Sequence, residues 1–336
     1  MKDVRIIIEG SRGKSGLVEL LTKAIGGIKG HKNAVGKVSG KETAVFFNNE
    51  KIIIKRKDNK FLIDQENREI LNKFSSCKFK VFENQALSAY TMKAFHLLFK
   101  PNIILIPNIR YEHQNVLGKN ISDMAESFAG NFKGSELVIT TEQKEEVLNI
   151  FKKFAKKYKT KLVVIRKREI VPGSQIIGII DYLLKYLFNE ELCAIEKTNI
   201  VNALKNKMKI QKSNKGIFWF KGSKINDVES SENVFNYLQN QTDLKFCFVC
   251  YFRKDRSERT EAFIPLIKKM TKNDKVEKIF IKGYHLDSLP KNPKIKKLGC
   301  SNETLINYCK RKNLVLVTAV NGVNDYMIKL ESELEN

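Results

Sequence analysis

Twelve residues near the start constrain this chain more than any others: Arg5-Ile-Ile-Ile-Glu-Gly-Ser-Arg-Gly-Lys-Ser-Gly16. The β-branched run Val4–Ile8 reads as a strand, and apolar residues at helical spacing from Ser15 to Ile25 read as a helix. Glycines at 10 and 13 let the backbone between them turn through dihedrals closed to other residues. Such a turn can aim its N–H groups at an anion, and the helix behind it adds the positive end of its dipole. In that arrangement Gly10, Ser11, Arg12, Gly13, Lys14, Ser15 and Gly16 cradle phosphate. Lys14 would reach the terminal phosphates, and the Ser15 hydroxyl would ligate Mg²⁺. The long form of the loop has glycine five residues ahead of Gly13, where this chain has Ile8, so this is the shorter Gly-x-x-Gly-Lys-Ser form. The alternative is an ordinary glycine turn carrying a surface lysine.

The rest of the chain alternates. Two short strands are expected over residues 44–63 about Asn48-Asn49, with further strands at 79–82, 102–107, 136–140 and 161–165. Helices are expected at 86–98, 121–130, 142–157, after 176, and near 196–206. Strands alternating with helices predict an α/β fold with a mainly parallel sheet. Lys205–Lys215 is polar and basic and reads as a linker. Strands near 217–220, 245–251, 277–281 and 314–318 then alternate with helices near 231–240, 258–270, 302–311 and 322–333. We therefore expect two domains, 1–207 and 208–336, the second a smaller Rossmann-like α/β unit.

Composition narrows the functional classes. Of 336 residues 42% are hydrophobic, with 21 Phe and 10 Tyr, which excludes global disorder. The net charge of +24 is spread along the chain. It suits a polyanionic partner, and equally a genome whose base composition favours Lys, Asn and Ile. Met1-Lys2-Asp3 runs straight into the first strand, so no secretory leader is expected. Cys77, Cys193, Cys247, Cys250, Cys300 and Cys309 then read as free thiols of a reducing compartment. Cys247 and Cys250 share a strand and point to opposite faces, which makes poor chelators. No apolar run approaches the roughly 18–20 residues of a membrane span. A cytoplasmic protein is expected, with association with a membrane complex left open. No helicase-like second motif or aromatic–basic stacking platform accompanies the loop, so a nucleic-acid-binding NTPase is the weaker alternative.

Further segments follow the loop in order: Lys37-Val-Ser-Gly-Lys41, Phe82-Glu83-Asn84, Asn108-Ile-Arg-Tyr-Glu-His113 with Gly118, and Arg253-Lys-Asp-Arg-Ser-Glu-Arg-Thr260. Together they resemble the Mur ligase superfamily, most nearly the capsule poly-γ-glutamate synthases, which start almost at the P-loop without the usual N-terminal substrate domain. The resemblance implies a central ATP-binding domain followed by the smaller α/β domain. It also implies an ATP-dependent carboxylate–amine ligase acting through an acyl phosphate. The expected substrates are an amino acid such as Glu and an acidic peptide or polymer, or a cell-wall peptide. The acceptor could be presented by a partner subunit or a second copy, and an oligomer is compatible.

By the same resemblance Ser15, Ser39, Glu83 and His113 serve Mg²⁺. Lys14, Glu83, His113, Arg253 and Asp255 are the catalytic candidates. Arg256 and Arg259 join Ser174 on the nucleotide side, and the arginine forks suit phosphate or carboxylate. Glu83 as a solvated strand end, His113 as a packing residue and Arg253–Arg259 as a locally paired helix start are the structural alternatives. His31, His96 and His285 have no motif and read as structural. Several positions depart from the family pattern. Ser39 stands for Thr, Glu112 for Asp and Asn115 for a second Asp. The adenine-contacting Asn falls at Ser174, or at Gln175 if displaced, and no carbamylated lysine can be located. Loss at the adenine segment also leaves room for a catalytically degenerate partner or regulatory subunit.

Overall fold

Ile6, Ile7 and Ile8 are fully buried. Such a strand belongs inside a parallel sheet covered on both faces, and the computed structural model places it there. The structure describes residues 3–28, 33–40, 42–56, 63–85, 88–111, 114–166, 169–319 and 324–335. The chain divides into two compact units, 1–200 and 201–336.

The first unit contains β1 Val4–Ile8, α1 Lys14–Gly27, β2 Ala34–Val38, β3 Ala44–Phe47, β4 Glu50–Ile53, α2 Ile63–Lys73, β5 Phe79–Glu83, α3 Ala89–Phe99 and β6 Ile103–Ile106. It continues with α4 Gln114–Leu117, α5 Ile121–Ala129, β7 Leu137–Thr140, α6 Glu145–Tyr158, β8 Lys161–Val164, α7 Ile176–Phe188 and α8 Ala194–Lys207, within which the division falls. Among the described residues eight strands form its sheet, in the order β4-β3-β2-β5-β1-β6-β7-β8. All neighbours from β2 to β8 run parallel, and the β3–β4 hairpin at one edge is antiparallel.

Alternation along the strands divides the core. Ile7 and Phe82 join Phe95, Phe99, Phe128 and Phe151 from α3, α5 and α6 on one face. Helix α1 packs against β2 and β5 and meets α7. The helices carry their own end signals. Ser88 and Thr91 form a reciprocal capping box at α3, and α6 has Glu145 and Glu146 in its first turn and Lys156 and Lys157 in its last, complementing the dipole.

The second unit contains β9 Gln211–Lys212, β10 Phe218–Lys221, α9 Val228–Gln239, β11 Phe246–Phe252, α10 Ser257–Thr271, β12 Val276–Gly283, β13 Ile295–Lys297, α11 Asn302–Lys312, β14 Val315–Ala319 and α12 Asp325–Glu335. Its sheet order is β13-β12-β11-β14-β10-β9, parallel except for β9. Phe248 and Cys250 face the side covered by α9 and α10, whereas Cys247 and Val249 face that covered by α11 and α12. Cys247 and Cys250 thus lie on opposite faces. Burial pushes both thiols well above their ordinary value, as expected of inert core cysteines.

Three local expectations need correction. The second strand of residues 44–63 ends at Ile53, and α2 begins at Ile63. Strand β2 and helix α2 were not foreseen. Within the expected linker, Lys205–Lys207 is the last turn of α8, and Gln211–Lys212 pairs antiparallel with β10.

Candidate functional site

In an open α/β sheet the loops beyond the carboxyl ends of the central strands are the natural ligand sites. Here β1, β2, β5 and β6 lie side by side, and four of the segments singled out in the sequence lie at or just beyond their carboxyl ends: Gly10–Gly13, Ser39, Glu83 and Asn108.

The glycine loop is shaped by both glycines and by Asn108. Gly10 has φ +100°, and a Cβ there would lie 2.6 Å from the Asn108 carbonyl oxygen. Gly13 has φ +84° and caps α1. The Ser11 N–H donates to Asn108 O at 3.0 Å, and the Arg12 N–H donates to Asn108 Oδ1 at 3.0 Å. The Asn108 side-chain amide returns a bond to Arg12 O at 3.2 Å, and the Arg110 N–H donates to Ser11 Oγ at 2.9 Å. The loop is therefore laced to the segment after β6, leaving the first N–H groups of α1 to meet a ligand. Lys14 Nζ folds back onto Gly10 O at 2.7 Å and Ser11 O at 3.3 Å, over the loop it would serve.

Three of the four expected cation ligands converge. The Ser15 hydroxyl donates to Glu83 Oε2 at 2.8 Å, and the Ser39 N–H donates to the same oxygen at 3.3 Å. Glu83 and Ser39 are buried, whereas Ser15 is exposed. One carboxylate and two hydroxyls are hard oxygen donors suited to a small divalent cation that keeps waters and phosphate oxygens in its shell. Among the described residues no three His, Cys, Asp or Glu side chains gather as an all-protein metal cage. The fourth expected ligand, His113, lies outside the described residues, as does Glu112.

Behind this edge sits a carboxylate absent from the sequence reading. Glu9 is fully buried and accepts from Asn84 Nδ2 at 2.7 Å and Asn131 Nδ2 at 3.2 Å. Burial pushes its carboxyl up to about 7, against the opposing pull of the two amides and of Lys14. Its position immediately before Gly10 was a signal, because a charged residue follows three buried isoleucines there.

Ser174 has a different environment from the one expected. Its hydroxyl accepts the N–H groups of Ile170 at 3.0 Å and Val171 at 3.2 Å, closing the turn before α7. The neighbouring Gln175 is buried, and its Oε1 has no hydrogen-bond partner among the described residues. Of the two positions, Gln175 is the one with an acceptor to offer a ligand.

In the second unit, Arg253 grips Asp255 with both arms, Nε to Oδ1 at 2.9 Å and Nη2 to Oδ2 at 2.6 Å. That pair holds the Asp255 carboxyl below its ordinary value. Arg256 is the N-cap of α10 and approaches Asp255 at 3.7 Å, and Arg259 lies in the first turn. The segment following β11 is thus a locally paired arginine cluster at a helix start.

The chain is similar to known proteins in sequence and in fold. Residues 207–331 match the family described as Poly-gamma-glutamate synthase CapB C-terminal domain. The chain is 24% identical over 292 residues to the capsule biosynthesis protein CapB of Bacillus anthracis, covering 79% of this chain and 61% of that protein. It therefore spans about three-fifths of that relative. Its fold is that of the folylpolyglutamate synthases. The Mycobacterium tuberculosis folylpolyglutamate synthase, complexed with ADP and AMPPCP, superposes with a TM-score of 0.65 at 11% identity, over 99% of this chain and 91% of that one. Escherichia coli FolC, in complex with DHPP and ADP, gives 0.66 at 10% identity, over 98% and 88%. No helix of the described residues is long and apolar enough to cross a membrane.

Proposed function

We propose that this protein is an ATP-dependent carboxylate–amine ligase that adds an amino acid, glutamate foremost, to an acidic peptide or polymer. The observation that carries the reading is the convergence of Ser15 and Ser39 on Glu83 beside a glycine loop at a helix N-terminus. Similarity to CapB and the shared fold with folylpolyglutamate synthases complexed with adenine nucleotides support it.

The chemistry follows from charge. A carboxylate oxygen attacks the γ-phosphorus, ADP leaves, and an acyl phosphate results. The amine then attacks the acyl carbon, inorganic phosphate leaves, and the amine gives up a proton as the amide forms. Anionic groups must approach one another, so the protein's task is electrostatic positioning more than nucleophilic attack. The loop N–H groups and Lys14 hold the phosphates. Glu83, Ser15 and Ser39 would hold Mg²⁺, which neutralises phosphate charge when bound, and His113 completes the set in this proposal. Arg253, Arg256 and Arg259 would orient phosphate or carboxylate, with Asp255 holding the Arg253 fork in place. Gln175 is the better candidate for the base. Domain limits at 207/208 and an acceptor presented by a partner subunit belong to the same proposal.

The test is phosphate release from ATP with a panel of amino acids and acidic acceptors, with products read by mass spectrometry. Glutamate-dependent release and a product heavier by one residue are expected. Lys14→Ala should lower nucleotide affinity at least tenfold, that is by about 1.4 kcal/mol or more. Unchanged affinity would reject the loop as the phosphate site. Binding of nucleotide with no turnover on any amine would favour the degenerate regulatory subunit.

A further inference from the structure

Lys37 lies in β2, and its side chain is fully buried. An ammonium has three donors and no acceptor. Sealing one from water is unfavourable unless its donors are met and its charge is balanced. Lys37 Nζ donates to Ser39 Oγ at 2.6 Å and Asn67 Oδ1 at 2.6 Å, and it pairs with Glu66 Oε1 at 2.7 Å. Asn67 and Glu66 come from α2, and Arg56 holds Glu66 in turn through Nε to Oε2 at 2.8 Å and Nη2 to Oε1 at 3.0 Å. An apolar residue would fill an interior strand position at less cost, because a buried ion pair is seldom a net gain in stability. Packing alone is therefore a poor account of a lysine here. Its remaining neighbour, Ser39, is the residue whose backbone N–H meets Glu83 at 3.3 Å, while its hydroxyl accepts from Lys37.

We propose that Lys37 is a positioning residue for the cation site. A buried Lys37–Glu66–Arg56 relay, anchored on α2, fixes the Ser39 hydroxyl with its oxygen presented beside Glu83. The inference rests on reading Ser15, Ser39 and Glu83 as cation ligands. Because an ammonium can only donate, Ser39 Oγ is obliged to accept from it. That fixes the rotamer and leaves the second lone pair for a cation. A bare positive charge so close would repel that cation, and Glu66 balances it. Lys37 touches neither phosphate nor substrate in this scheme and acts only through Ser39. Residues standing behind metal ligands in this way commonly change metal affinity by about 10–100-fold when replaced.

Lys37→Met preserves the length of the stem and removes the donor. Calorimetric titration of the full chain with ADP, at stepped magnesium concentrations and in excess chelator, separates cation affinity from nucleotide affinity. We expect the magnesium needed for half-maximal enhancement of binding to rise about tenfold, with chelator-only affinity within twofold of the native protein. Glu66→Gln, which leaves the ammonium unbalanced, should shift the magnesium requirement the same way, and it carries the test if Lys37→Met does not fold. Adding Lys37→Met to Ser39→Ala should cause no further shift, since the two act as one unit. A magnesium requirement unchanged in folded Lys37→Met or Glu66→Gln, while Ser39→Ala raises it, overturns the role of Lys37 and leaves the ligase reading standing. A requirement unmoved by Ser39→Ala and Glu83→Gln overturns the cation site itself, and the proposal with it.

Discussion

The Ser15 hydroxyl donates to Glu83 Oε2 across 2.8 Å, joining the first turn of α1 to the end of β5, 68 positions away in the chain. Replacing Glu83 by Gln keeps an oxygen to accept from Ser15 and removes the charge. We expect the magnesium enhancement of nucleotide binding to fall at least tenfold, about 1.4 kcal/mol, while the denaturation midpoint stays near that of the native protein. Loss of folding in place of loss of cation binding would make Glu83 a structural strand end.

Gly10→Ala tests the shape of the loop. At φ +100°, with Asn108 O 2.6 Å from the new Cβ, the side chain meets backbone that cannot swing aside. A destabilisation of about 1–3 kcal/mol is expected, measured by denaturant unfolding, together with loss of nucleotide binding. Retained binding at native affinity would mean that the loop does not need this lacing.

Glu9 makes stability depend on pH in a defined direction. Its carboxyl is pushed up to about 7 in the folded protein, from an ordinary value near 4.5. Between those values the folded state holds a proton that the unfolded chain has released, so stability falls as pH rises through this window and levels off above about 7. The full effect is on the order of 3 kcal/mol. Glu9→Gln abolishes the titration. Urea unfolding at pH 5 and pH 8 should find the variant gaining on the native protein at the higher pH. Parallel behaviour at both would show that Glu9 is ionised throughout.

Ser174→Ala separates two roles at one position. The hydroxyl closes a turn by accepting two backbone N–H groups, so its removal should cost about 1 kcal/mol and leave the preference for ATP over GTP unaltered. A changed preference with unchanged stability would restore Ser174 to the base site. Gln175→Ala is the companion variant and is expected to alter the preference.

Much of this was legible in the chain, for local reasons. The glycine loop announces itself because the turn, the lysine and the helix start are contiguous. The βα alternation gives parallel sheets because that connection has few alternatives. What escaped was non-local or chemically disguised. Strand β2 is short and carries Gly36 and Lys37, so it does not look like an interior strand until the lysine's partners on α2 are known. Helix α2, Ile-Asp-Gln-Glu-Asn-Arg-Glu-Ile-Leu-Asn-Lys73, has few apolar residues and buries Ile70 against the core, so its pattern is faint. Asn108 was visible only as part of a motif. Its service to Ser11 and Arg12 depends on β1 and β6 being neighbours.

The lacing between Gly10–Arg12 and Asn108–Arg110 bears on how the protein comes to be active. Local contacts form quickly, whereas contacts between distant segments wait for the chain between them to close. Ser11 and Arg110 are 99 positions apart, and Glu9 and Asn131 are 122 apart. During synthesis, a nascent chain that ends before Asn108 holds every glycine of the loop without the partner that shapes it. If the loop captures nucleotide as proposed, that capture is a late event, reporting that the first unit has completed its fold.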